Sequence, residues 1–151
     1  MTATLGHMVT RHLLAPAEHA YDYLSDPLKL GRWSLGCFET SLDEALGIHT
    51  GTSLFDGSQG WFQIDPEPNR MLIDYLVGMP DQLRCRISAR VIPGGSVGYD
   101  DASCLVMLSA WRPESMDGDR WARLCAAHEA EIWLIKAQIE TEYRVRQAGQ
   151  G

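Results

Sequence analysis

The stretch "LLAPAEHAYDYLSDPLKLGRW", residues 13–33, places two breaks and two short helical pieces in twenty-one positions. His7 to Leu14 ahead of it is short and β-branched enough for a first strand, which Ala15-Pro16 ends. Proline suits the first turn of a helix, where its missing N–H costs nothing, and Glu18 follows where an acid favours the helix dipole. Ala20, Tyr21 and Leu24 recur at near-helical spacing. Asp26-Pro27 then closes the helix, because a residue before proline avoids the helical region. A second short helix over Leu28–Trp33 follows directly.

From Ser34 to Trp111 the punctuation is that of an antiparallel sheet. Breakers recur at Gly47, Asp56-Gly57-Ser58, Asp65-Pro66-Glu67-Pro68-Asn69, Gly78-Met79-Pro80-Asp81 and Pro93-Gly94-Gly95. Strand-like runs lie between them at 35–42, 48–56, 59–65, 70–77, 83–92 and 102–111. "PGGSVG", residues 93–98, has glycines but sits in a hairpin, where turn chemistry accounts for them. Arg120 to Arg146 holds neither Gly nor Pro. At 100° per residue, Trp121, Cys125, Ile132, Ile139 and Tyr143 fall on one arc flanked by Leu124, His128 and Ile135, which predicts a long amphipathic helix. The order is strand, two short helices, six strands, long helix. A curved sheet gripping the last helix would bury its apolar stripe.

The 151 residues suit one domain, with an ordered core at about 7–147, and bury roughly two-thirds of the unfolded surface. The absence of a basic-then-apolar leader and of any run near the roughly 20 apolar residues of a membrane span points to the cytoplasm and to no integral membrane association. A net charge of -7, with 13 basic residues spread along the chain, argues against a nucleic-acid surface. Arg84, Arg86 and Arg90 alternate with Leu83, Cys85, Ile87, Ala89 and Val91, which reads as the solvated face of a strand. Cys37, Cys85, Cys104 and Cys125 lie far apart and read as free buried thiols. No His, Asp or Glu set recommends a metal, and no nucleophile elbow, phosphate loop or dinucleotide fingerprint is present, so no cofactor is expected.

At residues 13–33 the chain resembles the START/Bet v 1-like (SRPBCC) superfamily, in particular its bacterial polyketide cyclase/dehydrase and lipid-transport branch. The carrying pattern is a strand, Ala-Pro-x-Glu, an aromatic-bearing helix, Ser-Asp-Pro, and Trp33 after the second helix. The resemblance implies an α+β helix-grip fold: seven antiparallel strands wrapped around the long C-terminal helix. It also implies a hydrophobic cavity, while leaving activity open, because fold does not fix function. Arg11 departs from it, sharing parity with Val9 and Leu13 on a face expected to be apolar.

Ligand cavities are mostly apolar with a few placed polar groups, so inward polar residues are the candidates. His128 lies inside the helix stripe and suits acid/base work, or else is a core histidine satisfied by its neighbours. Glu131, three residues on, either orients it or is solvated at the stripe border. Tyr75 shares parity with Met71, Ile73 and Val77; its phenol either faces a ligand or bonds to backbone. Arg11 either meets a ligand anion or snorkels from the strand edge. Trp33, Trp61, Trp111, Leu124, Ile132 and Ile135 complete the expected lining, with Trp121 a further aromatic, although parity leaves open whether Trp61 and Gln63 or Phe62 and Ile64 point inward. Off the stripe, Trp133 and Leu134, with a back face of Ala126, Ala127, Ala130 and Ala137, suggest a partner surface, a homodimer being the simplest case. Three functions follow: binding of an apolar or aromatic molecule of lipid, polyketide or sterol type; a cofactor-free cyclase or dehydratase using His128; or an interaction module on the helix's outer face.

Overall fold

The computed structural model describes residues 4–150. Strand β1 (Gly6–Leu13) leads into α1 (Ala17–Leu24) and α2 (Pro27–Leu30). Strands β2 (Phe38–Asp43), β3 (Ile48–Thr52), β4 (Gln59–Glu67), β5 (Leu72–Met79), β6 (Gln82–Pro93) and β7 (Cys104–Trp111) follow, and α3 (Gly118–Ala148) ends the chain. The strands form one antiparallel sheet in the order β1-β7-β6-β5-β4-β3-β2, so α1 and α2 carry the chain from one edge to the other. This is the α+β helix-grip arrangement that the element order implies.

Local chemistry fixes the boundaries. The Asp26 carboxylate accepts the Leu28 N–H at 2.9 Å and Pro27 occupies the first helical position, so Asp26-Pro27 both stops α1 and starts α2. Asp117 caps α3 by accepting the Arg120 N–H at 2.7 Å, which starts that helix two residues earlier than its periodicity shows. The run Asp65-Pro66-Glu67 is strand rather than turn, with Pro66 opposite Ile73. Strand β3 pairs with β4 only as far as Phe62, so beyond it β4 has a free edge that needs no N–H from proline. The chain turns later, where Met71 takes φ +50°. Pro93 ends β6, and Gly94–Val97 form a 3₁₀ turn before β7.

The core lies between the concave sheet face and α3. Leu13, Val106, Leu108, Val91, Ile73 and Phe62 meet Ile132, Ile135 and Ile139, and all are essentially inaccessible. Two bulges interrupt the ladder. In β2 the register slips between Phe38 and Ser41, where Glu39 has φ +52°. In β6 the pairing passes from Tyr75 with Ile87 to Leu76 with Cys85, leaving Arg86 as the extra residue. At the first bulge α2 docks on β2: the Glu39 N–H donates to the Gly31 carbonyl at 2.9 Å and the Thr40 hydroxyl to the Pro27 carbonyl at 2.6 Å. A Cβ on Gly31 would stand 2.3 Å from the Thr40 nitrogen.

Candidate functional site

The sheet and α3 separate toward the N-terminal half of the helix and leave a cavity of about 460 Å³. Its floor is the β4–β5–β6 part of the sheet, one side is α2 and the segment after it, and the roof is α3 from Arg120 to Glu131. Arg120, Leu124, Ala127, His128 and Glu131 recur at helical spacing and line that roof, which spans about 16 Å at 1.5 Å per residue. Ala127 is therefore buried, not part of the outer face. The β3–β4 loop closes over the mouth: the Arg123 guanidinium stacks on Phe55 at 4.8 Å and lies 3.9 Å from the Asp56 carboxylate.

The aromatic wall combines Trp33, Trp61, Phe62 and Tyr75. Phe62 belongs to the core face of β4, and Trp61 reaches the same cavity nearer the loop, so both residues contribute. Trp33 and Tyr75 meet edge to face at 6.0 Å. The Tyr75 hydroxyl donates to the Leu24 carbonyl at 2.6 Å. That engagement removes Tyr75 from the acid/base candidates: its ring lines the cavity, but its proton is committed to the end of α1.

His128 and Glu131 do face each other in the cavity, with Nε2 and Oε1 3.9 Å apart. Both are nearly inaccessible, so Glu131 is not a solvated border residue. Burial, helped by the nearby His7 and Arg86, pushes the His128 imidazole down to about 4. Burial pushes the Glu131 carboxyl up to about 7, against the pull of hydrogen bonds from the Leu35 N–H, at 2.9 Å, and Ser34. At neutral pH the pair is thus a neutral imidazole beside a carboxyl poised between acid and base, and not an ion pair. Cys37 also lines the cavity, with its thiol pushed up to about 11 by burial. Among the described residues no group of three or more His, Cys, Asp or Glu converges as a metal site.

Four expected lining residues lie elsewhere. Arg11 sits on edge strand β1, alongside α3, where its guanidinium covers the Trp133 ring at 4.3 Å and donates to the Thr10 carbonyl. Trp111 ends β7 on the outer face of the sheet, largely exposed, with its ring over Gly6. Ile132 and Ile135 are sealed in the core beyond the cavity. Leu124 lines the cavity as expected.

In their place the structure brings in three arginines. Arg86 is the consequential one, because strict alternation puts it on the solvated face. The bulge turns it inward beside Ile87, and both residues line the cavity. Its guanidinium is held below the ordinary arginine value by burial and by Arg120. Arg120 and Arg123 were legible in principle, since they extend the roof spacing by one more helical turn.

Unpartnered polar atoms concentrate here. Trp33 Nε1, Trp61 Nε1, Arg86 Nη1, His128 Nδ1 and Glu131 Oε1 are all buried without a hydrogen-bond partner, and all five side chains line this one cavity. Buried polar groups are ordinarily satisfied, so five orphans on side chains around a single space set this part of the interior apart from the rest of the core.

No protein-family model matches the sequence, and no curated protein matches it. Solved structures do. The Zhui aromatase/cyclase from Streptomyces sp. R1128 superposes with TM-score 0.66 at 18% identity, over 95% of this chain and 97% of that one. A START superfamily protein from Mycobacterium smegmatis gives 0.60 at 12% identity, over 92% and 97%. The protein XoxI from Bacillus cereus gives 0.67 at 11% identity, over 90% and 96%. The chain has the START/Bet v 1-like helix-grip fold, and among its described residues no helix is long and apolar enough to cross a membrane.

Proposed function

We propose that the protein binds an apolar or aromatic small organic molecule, bearing at least one polar group, between the sheet and α3. The carrying observation is the set of five orphaned polar atoms around an aromatic-walled cavity of about 460 Å³. The resemblance in fold to START-like and aromatase/cyclase proteins supports the same reading. Native mass spectrometry of the purified protein, followed by denaturing extraction, tests it. The expected result is a co-purifying organic mass or saturable uptake from a panel of fatty acids, sterols and aromatic polyketides. A clean apo mass with no uptake from any of them overturns the proposal.

A second reading rests on one further observation, the His128–Glu131 pair inside the cavity. Glu131, with its carboxyl raised to about 7, can take a proton from a carbon or oxygen next to a carbonyl and return it, with the neutral His128 imidazole beside it to hold and orient the reacting group, which is the work of a cyclase or dehydratase. On this reading His128→Ala abolishes turnover of the extracted molecule while its binding and the melting temperature stay near those of the wild type. Undiminished turnover in the variant excludes it.

A further inference from the structure

The charge around the cavity narrows the ligand class, and this step rests on the cavity being a binding site. The chain carries a net charge of -7, yet Arg86, Arg120 and Arg123 all line this one space. Arg123 is partnered, with the Asp56 carboxylate 3.9 Å away and the Phe55 ring beneath it. Asp56 is also engaged by Ser58, whose N–H and hydroxyl donate to its Oδ1 at 3.0 and 2.6 Å. Among the described residues no carboxylate stands within ion-pair distance of Arg86 or Arg120. The other carboxyl lining the cavity, Glu131, lies about three helical turns along the roof from Arg120 and is held by the Leu35 N–H.

A half-buried guanidinium such as that of Arg86, with no counter-charge, is costly, and arginine donors suit a carboxylate. Arg86 stands on the floor strand β6, close enough to both Arg120 and His128 for its charge to act on each. We infer that the ligand is an organic anion with an apolar body, seated with its acid group at Arg86 and Arg120 and its body along the Trp61, Phe62 and Trp33 wall.

A matched fluorescent pair tests the inference: anilinonaphthalene sulfonate and its uncharged parent, phenylnaphthylamine, which share one aromatic body and differ by the acid group. In the wild type the sulfonate should bind at least about tenfold more tightly, as expected of one charge-assisted contact in a partly desolvated site. Arg86→Met should remove that preference while leaving the affinity for the neutral probe within about twofold. Arg120→Gln, at an exposed helix position where folding is not at stake, should reduce sulfonate affinity roughly threefold and leave the neutral probe unchanged. Equal wild-type affinities for the two probes, or a sulfonate preference untouched by both variants, overturn the anion inference while leaving the cavity reading intact. Binding of neither probe to the wild type counts against the cavity reading itself.

Discussion

Glu131→Gln should stabilise the protein at pH 8 far more than at pH 5. Glu131 is buried, and its carboxyl is raised from the ordinary 4.5 to about 7. The folded state therefore holds a proton that the unfolded chain releases between those values, and stability falls as pH rises through that window. At about 1.4 kcal/mol per pH unit the whole window corresponds to about 3 kcal/mol, of which about 2.5 kcal/mol falls between pH 5 and pH 8. The groups facing Glu131 leave this sign unchanged. His128, lowered to about 4, titrates in the opposite sense between about 4 and its ordinary 6.5, but it is present in both proteins and largely cancels in the difference. The Leu35 N–H can still donate to the side-chain carbonyl oxygen of the introduced glutamine, and Arg86 and His7 are common to both proteins. In a domain of this size, 1 kcal/mol moves Tm by about 2–4 °C, so the variant's advantage should grow by roughly 5–10 °C between the two pH values. Thermal unfolding followed by circular dichroism at pH 5 and pH 8 measures it. An advantage that is the same at both pH values would mean that Glu131 ionises as an exposed carboxylate does, and the poised acid/base pair would fall with it.

Two further substitutions separate structure from site. Tyr75→Phe removes the hydroxyl that satisfies the Leu24 carbonyl and should cost about 1–3 kcal/mol in chemical denaturation, with ligand affinity within about twofold; a large loss of affinity at full stability would return the phenol to the site. Gly31→Ala drives a methyl to 2.3 Å from the Thr40 nitrogen, so it should destabilise by about 1–3 kcal/mol or more through separation of α2 from β2, and an unchanged midpoint would contradict that close approach.

The fold is legible in the sequence because its signals are local and mutually consistent. Asp26-Pro27 is a cap and a stop at once, turn residues separate the strands, and α3 keeps one apolar stripe over Trp121, Ile132, Ile135 and Ile139. His128, Leu124 and Trp33 reach the cavity for the same reason, since stripe position and the short helices fix their direction. The reading fails where direction depends on a neighbour. Arg11 has inward parity, but its strand is the sheet edge, and an edge side chain can swing onto the flank of α3. Pro66 reads as a turn until it is known that β3 stops pairing at Phe62.

Arg86 shows where the reading of one sequence ends. Alternation along Leu83–Val91 carries no mark of an extra residue; the bulge exists only in the pairing of β6 with β5, where Tyr75 meets Ile87 and Leu76 meets Cys85. A regular ladder would place Cys85 inward and Arg86 in solvent, and the sheet would then present the cavity with no cation. With the bulge, one backbone irregularity supplies the charged group of the cavity floor, opposite a helix roof that carries Arg120 at one end and Glu131 at the other. The apolar walls can hold many molecules of suitable size. Arg86 on the floor and Glu131 on the roof make the space electrostatically uneven where the walls alone would be only apolar. The sulfonate comparison probes this unevenness at Arg86, and the pH dependence of Glu131→Gln probes it on the roof.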